Sequence, residues 1–450
     1  MTEQHRYLPL TAEDRQAMLK TIGVDSLDAL LTDIPENVRM KEALDVPTAL
    51  SEIELIQHME ALAGLNTTAE DRPLFLGAGT YDHFIPSVVN HVLLRSEFMT
   101  AYVPYQPEAS QGELQALFEF QSMVCELTGM DVANSSLYDA FTSLGEACNL
   151  AIGATKRQKV LMSAGVHPQA QEVVRTYAYG MEYVVEPIVV TNDLTDINAL
   201  KGQLDDEETA AVVIQYPNFF GSIEDLRAVK ELLTDTKIIF IVLANPLALA
   251  LLESPGELGA DIVVGDMQPL GIPMSYGGPH CGYFATKKQY MRKLPSRIVG
   301  QTVDSEGKRG FVMTLQTREQ HIRREKATSN MSSNQALFAL ASAVCMSALG
   351  KTGIQEMAQQ NIDKAHYLAY QLEAAGFKLF NQSAFFNEFV VCFNKPVTEI
   401  NQALFERGFI GGLDVSEQLD TEHAMLVCVT EKRTKMEMDD FVTVLTEVAK

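Results

Sequence analysis

Short apolar runs alternate with amphipathic segments through the middle of the chain. Lys159–Ser163, Ala210–Gln215 and Lys237–Leu243 are continuous β-type runs, whereas Pro168–Tyr179 and Ile223–Leu233 carry apolar residues at helical spacing. Strands that are apolar on both faces and separated by helices are typical of βαβ units, in which helices cover a mostly parallel sheet. The middle of the chain therefore predicts a large α/β domain.

The two ends of the chain show other patterns. Near the N-terminus, Glu13–Ile22 and the segment after Ser51 have helical apolar spacing, with Ser51 as the predicted N-cap. Towards the C-terminus two long helices precede short strands, and Thr434 is the predicted N-cap of the last helix. We therefore expect an N-terminal helical arm over residues 1–65, a large α/β domain over 66–328 and a small α+β domain over 329–450.

Composition narrows the possible partners. The 450 residues include 35 basic and 59 acidic side chains, a formal charge of −24 that repels nucleic acid and anionic lipid. The 6 cysteines and 9 histidines form neither C-x-x-C nor H-x-x-x-H, so we expect reduced cysteines and no metal site.

No apolar run reaches the ~18–20 residues of a membrane span, and the first residues are unlike a signal peptide. We expect a cytoplasmic protein without nucleic-acid or membrane partners.

Two tyrosines stand on a segment that proline makes stiff. Pro104 and Pro107 exclude a helix around Tyr102 and Tyr105 and favour extended backbone before each proline. Ser110 then begins a capping-box pattern that opens a helix. Such a loop suits a small polar ligand, but the tyrosines could equally pack in an interface.

A second helix start carries hydroxyl groups. In Asn134–Ala147, Ser143 and Glu146 have capping-box spacing, and the free amides of a helix start attract phosphate. A plain capped helix is the alternative. Gly77–Thr80, by contrast, lacks both the third glycine of a dinucleotide fingerprint and the lysine of a P-loop.

The segment 265–282 predicts a binding loop. Its 3 prolines and 5 glycines exclude a helix or strand, and long irregular segments in compact domains usually bind ligands. It contains no lysine, and the nearest ones are Lys287 and Lys288.

One dense basic run interrupts this acidic chain. Glu319 and Arg323 have the spacing of a helical ion pair, so part of the run predicts a solvated helix face. The other reading is a clamp for a carboxylate or phosphate. The candidate residues are Arg318, His321, Arg323, Arg324 and Lys326.

Several of these segments together resemble one family. YVPYQPEASQGELQALFEFQ, PNFFGSIEDL, the 265–282 loop and TREQHIRREKATSN are similar to the glycine cleavage system P-protein, from about residue 5 to the C-terminus, and most of all to the alpha subunit of its two-subunit bacterial form. The resemblance implies the type I pyridoxal phosphate (PLP) fold, like that of aspartate aminotransferase, and an α2β2 assembly. It also implies that glycine is decarboxylated and its aminomethyl group is passed to the lipoyl arm of H-protein, with PLP as the electron sink.

The resemblance also implies that this chain does not carry the cofactor. In the catalytic half of the family a His-Lys pair precedes the loop, and alignment on Pro273 puts Gln268 at the position of the Schiff-base lysine. Asn245 stands where type I enzymes place an acid beneath the pyridine nitrogen. Phe141 replaces a small residue at the helix start, which would crowd a phosphate. The resemblance therefore implies that PLP is bound covalently by a partner beta subunit.

By the same resemblance, Tyr102, Tyr105 and Gln106 are expected to reach the partner's cofactor pocket. The basic run is expected to meet the acidic H-protein or to anchor an anion near the channel for its lipoyl arm. Two other readings stay open. One is a self-sufficient PLP lyase or aminotransferase that uses Lys287 or Lys326, and the other is a purely structural pseudoenzyme subunit.

Overall fold

The computed structural model describes residues 7, 9–40, 42, 44–99, 103–327, 329–331 and 334–449. The chain divides into two compact units, residues 1–67 and 68–450. The described helices are α1 (Ala12–Ile22), α2 (Glu52–Ala63), α3 (Ser87–Leu93), α4 (Ser96–Met99), α5 (Gln111–Thr128), α6 (Ala140–Thr155), α7 (Pro168–Met181), α8 (Ile197–Gln203), α9 (Leu226–Leu232), α10 (Gln320–Arg323), α11 (Ala336–Ala374), α12 (Val397–Glu406) and α13 (Lys435–Ala449). The described strands are β1 (Val132–Ala133), β2 (Lys159–Ser163), β3 (Val184–Ile188), β4 (Val190–Thr191), β5 (Leu194–Thr195), β6 (Thr209–Tyr216), β7 (Ile239–Ala244), β8 (Ile262–Asp266), β9 (Gly282–Thr286), β10 (Ile298–Val303), β11 (Arg309–Thr314), β12 (Lys378–Leu379), β13 (Glu388–Cys392), β14 (Leu413–Asp414) and β15 (Ala424–Cys428).

The first unit is helical. It holds α1, a 3₁₀ turn at Asp28–Leu31 and α2. Thr11 and Ser51 each form a capping box with the acidic residue three positions on, so the predicted cap at Ser51 is confirmed.

A seven-stranded sheet dominates the second unit, in the order β1-β9-β8-β7-β6-β2-β3. Five strands run parallel to one another: β3, β2, β6, β7 and β8. At one edge β9 pairs antiparallel with β8, and β1 pairs antiparallel with β9. Neighbouring residues of β6 face opposite sides: Val212 belongs to one apolar cluster and Val213 to the other, and both are buried. This double burial is why the strands read as continuous apolar runs, and it confirms the predicted parallel sheet.

Helices cover both faces of this sheet. Residues of α5 and the first half of α11 join Val212 in one cluster, and residues of α6 and α7 join Val213 in the other. Gly129, in left-handed backbone, ends α5 as a C-cap. Ser110 makes no side-chain cap at the start of α5, so that predicted capping box is wrong.

The predicted capping box of Ser143 and Glu146 is also wrong. Both residues lie inside α6, whose N-cap is Asp139. The Oδ1 atom of Asp139 accepts a hydrogen bond from the Thr142 amide at 2.8 Å, so the helix begins one turn earlier than the pattern predicted. Glu146 is buried, and burial raises the pKa of its carboxyl to about 7.

A smaller antiparallel sheet, β12-β13-β15-β14, lies in the C-terminal part of the second unit. Helices α12 and α13 and the second half of α11 pack in its own apolar cluster. Thr434 accepts a hydrogen bond from the Glu437 amide at 3.2 Å, which confirms the predicted cap of α13. The proposed boundary near residue 328 stays a prediction.

The long helix α11 breaks at Gly350, whose φ of 62° is left-handed, so two helices were correctly predicted here. By length and composition alone α11 could cross a membrane, with a mean hydropathy of 1.5 in its most apolar window. No such segment was predicted from the sequence. Ala339 and Ala341 of its first half nevertheless belong to the same buried apolar cluster as residues of α5, as in the core helix of a globular domain.

Candidate active-site cavity

A cavity of 440 Å³ opens at the carboxyl ends of the parallel strands. Asn218 follows β6, Asn245 follows β7, and Asp266 ends β8, and all three line the cavity. This edge is where open α/β sheets bind their ligands. The opposite wall comes from the smaller sheet, through Asn387 and Glu388 at the start of β13.

The start of α6 forms one side of the cavity, and two of its amides are already occupied. The Ala140 amide donates to Oδ2 of Asp266 at 3.2 Å, and the Thr142 amide donates to Oδ1 of Asp139 at 2.8 Å. Phe141 packs against the ring of His167, with 4.7 Å between the ring centroids. Two carboxylates therefore take the place that a phosphate would need at this helix start.

Gln268, at the position expected for a Schiff-base lysine, is 1% exposed. Its Nε2 atom donates to the carbonyl of Tyr81 at 2.8 Å and to that of Ile272 at 3.0 Å. Its Oε1 atom accepts from the Tyr81 amide at 2.9 Å. The side chain ties the 265–282 loop to the segment around Tyr81 and offers no amine to the cavity.

The two lysines that the sequence left open as Schiff-base candidates do not line the cavity. Lys287 pairs with Asp261 at 2.8 Å, at the end of β8 and β9 that is remote from Asp266. Lys326 is exposed in a 3₁₀ turn at Arg324–Lys326. Among the residues that the structure describes, no lysine or arginine lines the cavity.

Asn245 lies at the end of β7, where the resemblance placed the acid of type I enzymes. Its Oδ1 atom accepts from the amides of Leu247 at 3.0 Å and Ala248 at 3.4 Å, so it caps the turn that follows the strand. A neutral amide held in this way does not stabilise a pyridinium as a carboxylate does. With no amine among the described lining residues and with two amides of the helix start bonded to carboxylates, the lining does not fit PLP.

Glu388 reaches the cavity from the smaller sheet and was not found by sequence reasoning. It accepts hydrogen bonds from the Ala78 amide at 2.6 Å and the Tyr81 hydroxyl at 2.8 Å. Burial raises the pKa of its carboxyl from 4.5 to about 7, and these two hydrogen bonds only partly oppose the rise. Gly77–Thr80, which lacks the nucleotide-binding fingerprints, supplies three of the lining residues.

The raised pKa of Glu388 predicts a pH-dependent stability. Because the folded-state pKa lies above the unfolded one, the contribution is complete below pH 4.5 and is lost as the pH rises through about 7. At about 1.4 kcal/mol per pKa unit, we expect the difference between wild type and Glu388→Gln to change by roughly 3 kcal/mol between acid and mildly alkaline pH. Urea unfolding at several pH values measures it. The same pH slope in both proteins would contradict the assignment, and exposed Glu417→Gln is the control.

The predicted tyrosine loop lies apart from this cavity. Tyr102 falls outside the described residues. Nη2 of Arg297 donates to the Tyr105 hydroxyl at 2.7 Å and its guanidinium lies 4.7 Å from the ring centre. Tyr105 and Gln106 are exposed, and neither lines the cavity.

The structure separates Arg318 from the rest of the basic run. Its guanidinium is turned inward and donates to the carbonyls of Leu294 and Ser296. Burial lowers its pKa to about 10. The four exposed members are His321, Arg323, Arg324 and Lys326.

The fold is that of the type I PLP-dependent enzymes, as expected. A glutamate decarboxylase from Lactobacillus brevis superposes with a TM-score of 0.68 at 14% identity, over 92% of this chain and 95% of that one. A crystal structure of glycine decarboxylase (P-protein) of the glycine cleavage system, in inhibitor-bound form, superposes with a TM-score of 0.92 at 40% identity, over 99% of this chain and 100% of that one.

Sequence comparison gives the family. The profile described as "Glycine cleavage system P-protein" matches residues 5–445. The probable glycine dehydrogenase (decarboxylating) subunit 1 of Geobacillus thermodenitrificans is 59% identical over 442 residues, 98% of each chain. That of Shouchella clausii is 57% identical over 97% of this chain and 98% of its own. The chain belongs to the glycine cleavage system P-protein family, so the resemblance found in the sequence is confirmed.

Proposed function

We propose that the chain is the alpha subunit of a two-subunit glycine dehydrogenase (decarboxylating), EC 1.4.4.2, and that it works with a beta subunit that holds PLP covalently. The nearly full-length match to relatives named subunit 1 supports the activity and the existence of a partner. The complex, an α2β2 heterotetramer in the cytoplasm, decarboxylates glycine and passes the aminomethyl group to the lipoyl arm of H-protein. Six free cysteines agree with a reducing compartment.

One observation carries the division of labour between the subunits. The cavity at the type I position contains no amine among its described lining residues, and Gln268 is buried in hydrogen bonds to Tyr81 and Ile272. A cofactor that must form an imine with a lysine therefore has no attachment point on this side of the complex.

Borohydride reduction tests the division. The full chain alone and its complex with the beta subunit are each incubated with PLP, reduced and mapped by peptide mass spectrometry. We expect a stoichiometric pyridoxyl-lysine on the beta subunit and none on this chain, with carbon dioxide released from glycine only by the complex. A pyridoxyl group on Lys287 or Lys326, together with turnover by the isolated chain, would establish a self-sufficient PLP enzyme instead.

The exposed loop that carries Tyr105 and Gln106 is proposed to reach the partner's cofactor pocket, together with Tyr102. Arg297 supports this proposal because it contacts the Tyr105 ring and donates a hydrogen bond to its hydroxyl, while the tyrosine stays exposed. In the intact complex, Tyr105→Phe is expected to lower glycine turnover without dissociating the subunits. Unchanged turnover would favour a purely structural subunit.

The exposed basic side chains of the 321–326 segment are proposed to contact H-protein. They form a basic island on a chain of charge −24, so an acidic partner would be steered towards them. Arg323→Ala with Arg324→Ala is expected to raise the apparent KM for H-protein about threefold at low salt and less at high salt. The exposed Lys351→Ala is the matched control, and equal effects of the two changes would refute a specific surface.

A further inference from the structure

We propose that the cavity on this chain binds a small organic ammonium ion, an amine that carries neither a carboxylate nor a phosphate. The chemistry of the lining alone carries this proposal, which does not depend on the function proposed above. At 440 Å³ the cavity has the size of a small-molecule site.

The charge of the lining favours a cation. Asp139, Asp266 and, where it is ionised, Glu388 supply negative charge to the lining, and the only basic groups among its described lining residues are His167 and His280. The Nε2 atom of His167 lies 3.0 Å from the Ala78 carbonyl, while its Nδ1 atom accepts the Gln169 amide at 3.2 Å. An imidazole that donates on one nitrogen and accepts on the other is neutral. Burial also lowers its pKa.

His280 is the remaining basic group, and its imidazole is hydrogen-bonded to one carboxylate. Its Nδ1 atom lies 3.1 Å from Oδ2 of Asp266, and this hydrogen bond raises the pKa of the imidazole. Asp139 forms no ion pair with a described residue. Its Oδ1 atom caps α6, and no described residue donates to its Oδ2 atom. His280 is near enough to Asp139 for their charges to interact, but one imidazolium cannot balance both Asp139 and Asp266, so the lining keeps a net negative charge.

Two further features of the lining favour an ammonium group. Tyr81, Tyr138 and Phe141 contribute aromatic rings to the lining, and aromatic faces attract cations. Asn387 also lines the cavity, and within the described part of the chain no donor reaches its Oδ1 atom, so an N–H group of the ligand would find an acceptor there.

The same lining disfavours anions. The Ala140 and Thr142 amides at the start of α6 are bonded to Asp266 and Asp139. An incoming phosphate or carboxylate would have to displace these side chains and would meet their negative charge. Phosphate and PLP are therefore expected to bind at least about tenfold more weakly than a cation of similar size, which corresponds to about 1.4 kcal/mol.

Calorimetric titration of the full chain, in its complex, tests the proposal. The probe is N,N-dimethylethanolamine, which is protonated near neutral pH and, as a tertiary amine, forms no imine with PLP on the partner. Its neutral isostere is 3-methylbutan-1-ol. We expect one molecule of the amine to bind per chain, and the alcohol to bind about tenfold more weakly or not at all.

Asp139→Asn supplies the decisive variant, because asparagine caps a helix as well as aspartate but carries no charge. It is expected to weaken binding of the amine about fivefold or more, while the exposed Glu417→Gln, which removes the same charge elsewhere, has no effect. Equal affinity for the amine and the alcohol, tighter binding of phosphate, or no change in Asp139→Asn would each overturn the proposal.

Discussion

Replacing Gly221 with alanine is expected to lower the free energy of unfolding of the second unit by about 3 kcal/mol, through left-handed strain and overpacking. Gly221 has a φ of 89°, and a Cβ atom built on it would lie 1.9 Å from the carbonyl oxygen of Glu388. That oxygen belongs to the backbone of β13, so it cannot rotate away as a flexible side chain would.

Hydrogen bonds on both sides of Gly221 hold its turn in place. Oδ1 of Asn218 accepts the amides of Phe220 and Ser222, each at 3.1 Å. The carbonyl of Gly221 also accepts from the Phe386 amide at 3.1 Å. The added methyl group must therefore push β13 away from the turn that follows β6, at the wall of the cavity.

Urea unfolding measures this effect. Gly153→Ala is the matched control, because it lies inside α6 and its added Cβ meets no atom within 4 Å. The control is expected to be neutral or to stabilise by up to about 1 kcal/mol, since alanine is the better helix former. Equal midpoints for the two alanine variants would show that the close approach at Gly221 is not a constraint.

Removing Arg297 is the second change with a large expected effect. Arg297 and Glu319 form a buried ion pair at 2.7 Å. Within the described part of the chain, Oε1 of Glu319 has no hydrogen-bond partner, and Nδ1 of the exposed His321 lies 3.7 Å from Oε2. Arg297→Ala leaves the buried charge without its hydrogen-bonded cation, and we expect a loss of about 3–5 kcal/mol.

Two comparisons isolate the cause of that loss. Lys308→Ala breaks the exposed pair of Lys308 and Glu306, and is expected to cost at most about 1 kcal/mol. Arg297→Met combined with Glu319→Leu removes both charges and should recover most of the stability, because apolar residues can replace a buried pair. If the double variant is as unstable as Arg297→Ala, the loss comes from packing and not from the stranded charge.

The parallel sheet was predictable because its signal is local. Residues such as Val212 and Val213 are apolar in succession only because both faces of β6 are buried. Gly129 marks a helix end through its left-handed backbone, and Thr434 marks a helix start through its side-chain hydroxyl. The start of α6 was misread because Asp139 and Ser143 are both good caps. The tertiary bond from the Ala140 amide to Asp266, which the sequence does not show, accompanies the earlier start.

The candidate site was only half predictable. The 265–282 loop and the substitution at Gln268 could be seen in the sequence, because prolines, glycines and a missing lysine are visible there. Glu388 could not, since it meets Ala78 across 310 positions and looks like any other strand residue. Arg318 was grouped with its basic neighbours, whereas the carbonyls of Leu294 and Ser296 draw it inward.

The cavity has one wall on each sheet, through Asp266 at the end of β8 and Asn387–Glu388 at the start of β13. Any movement of the smaller antiparallel sheet relative to the seven-stranded sheet must change the shape of the cavity between them. Occupancy of that space and the relative position of the two sheets are thus thermodynamically linked, and a bound molecule would favour the relative position that it fits best.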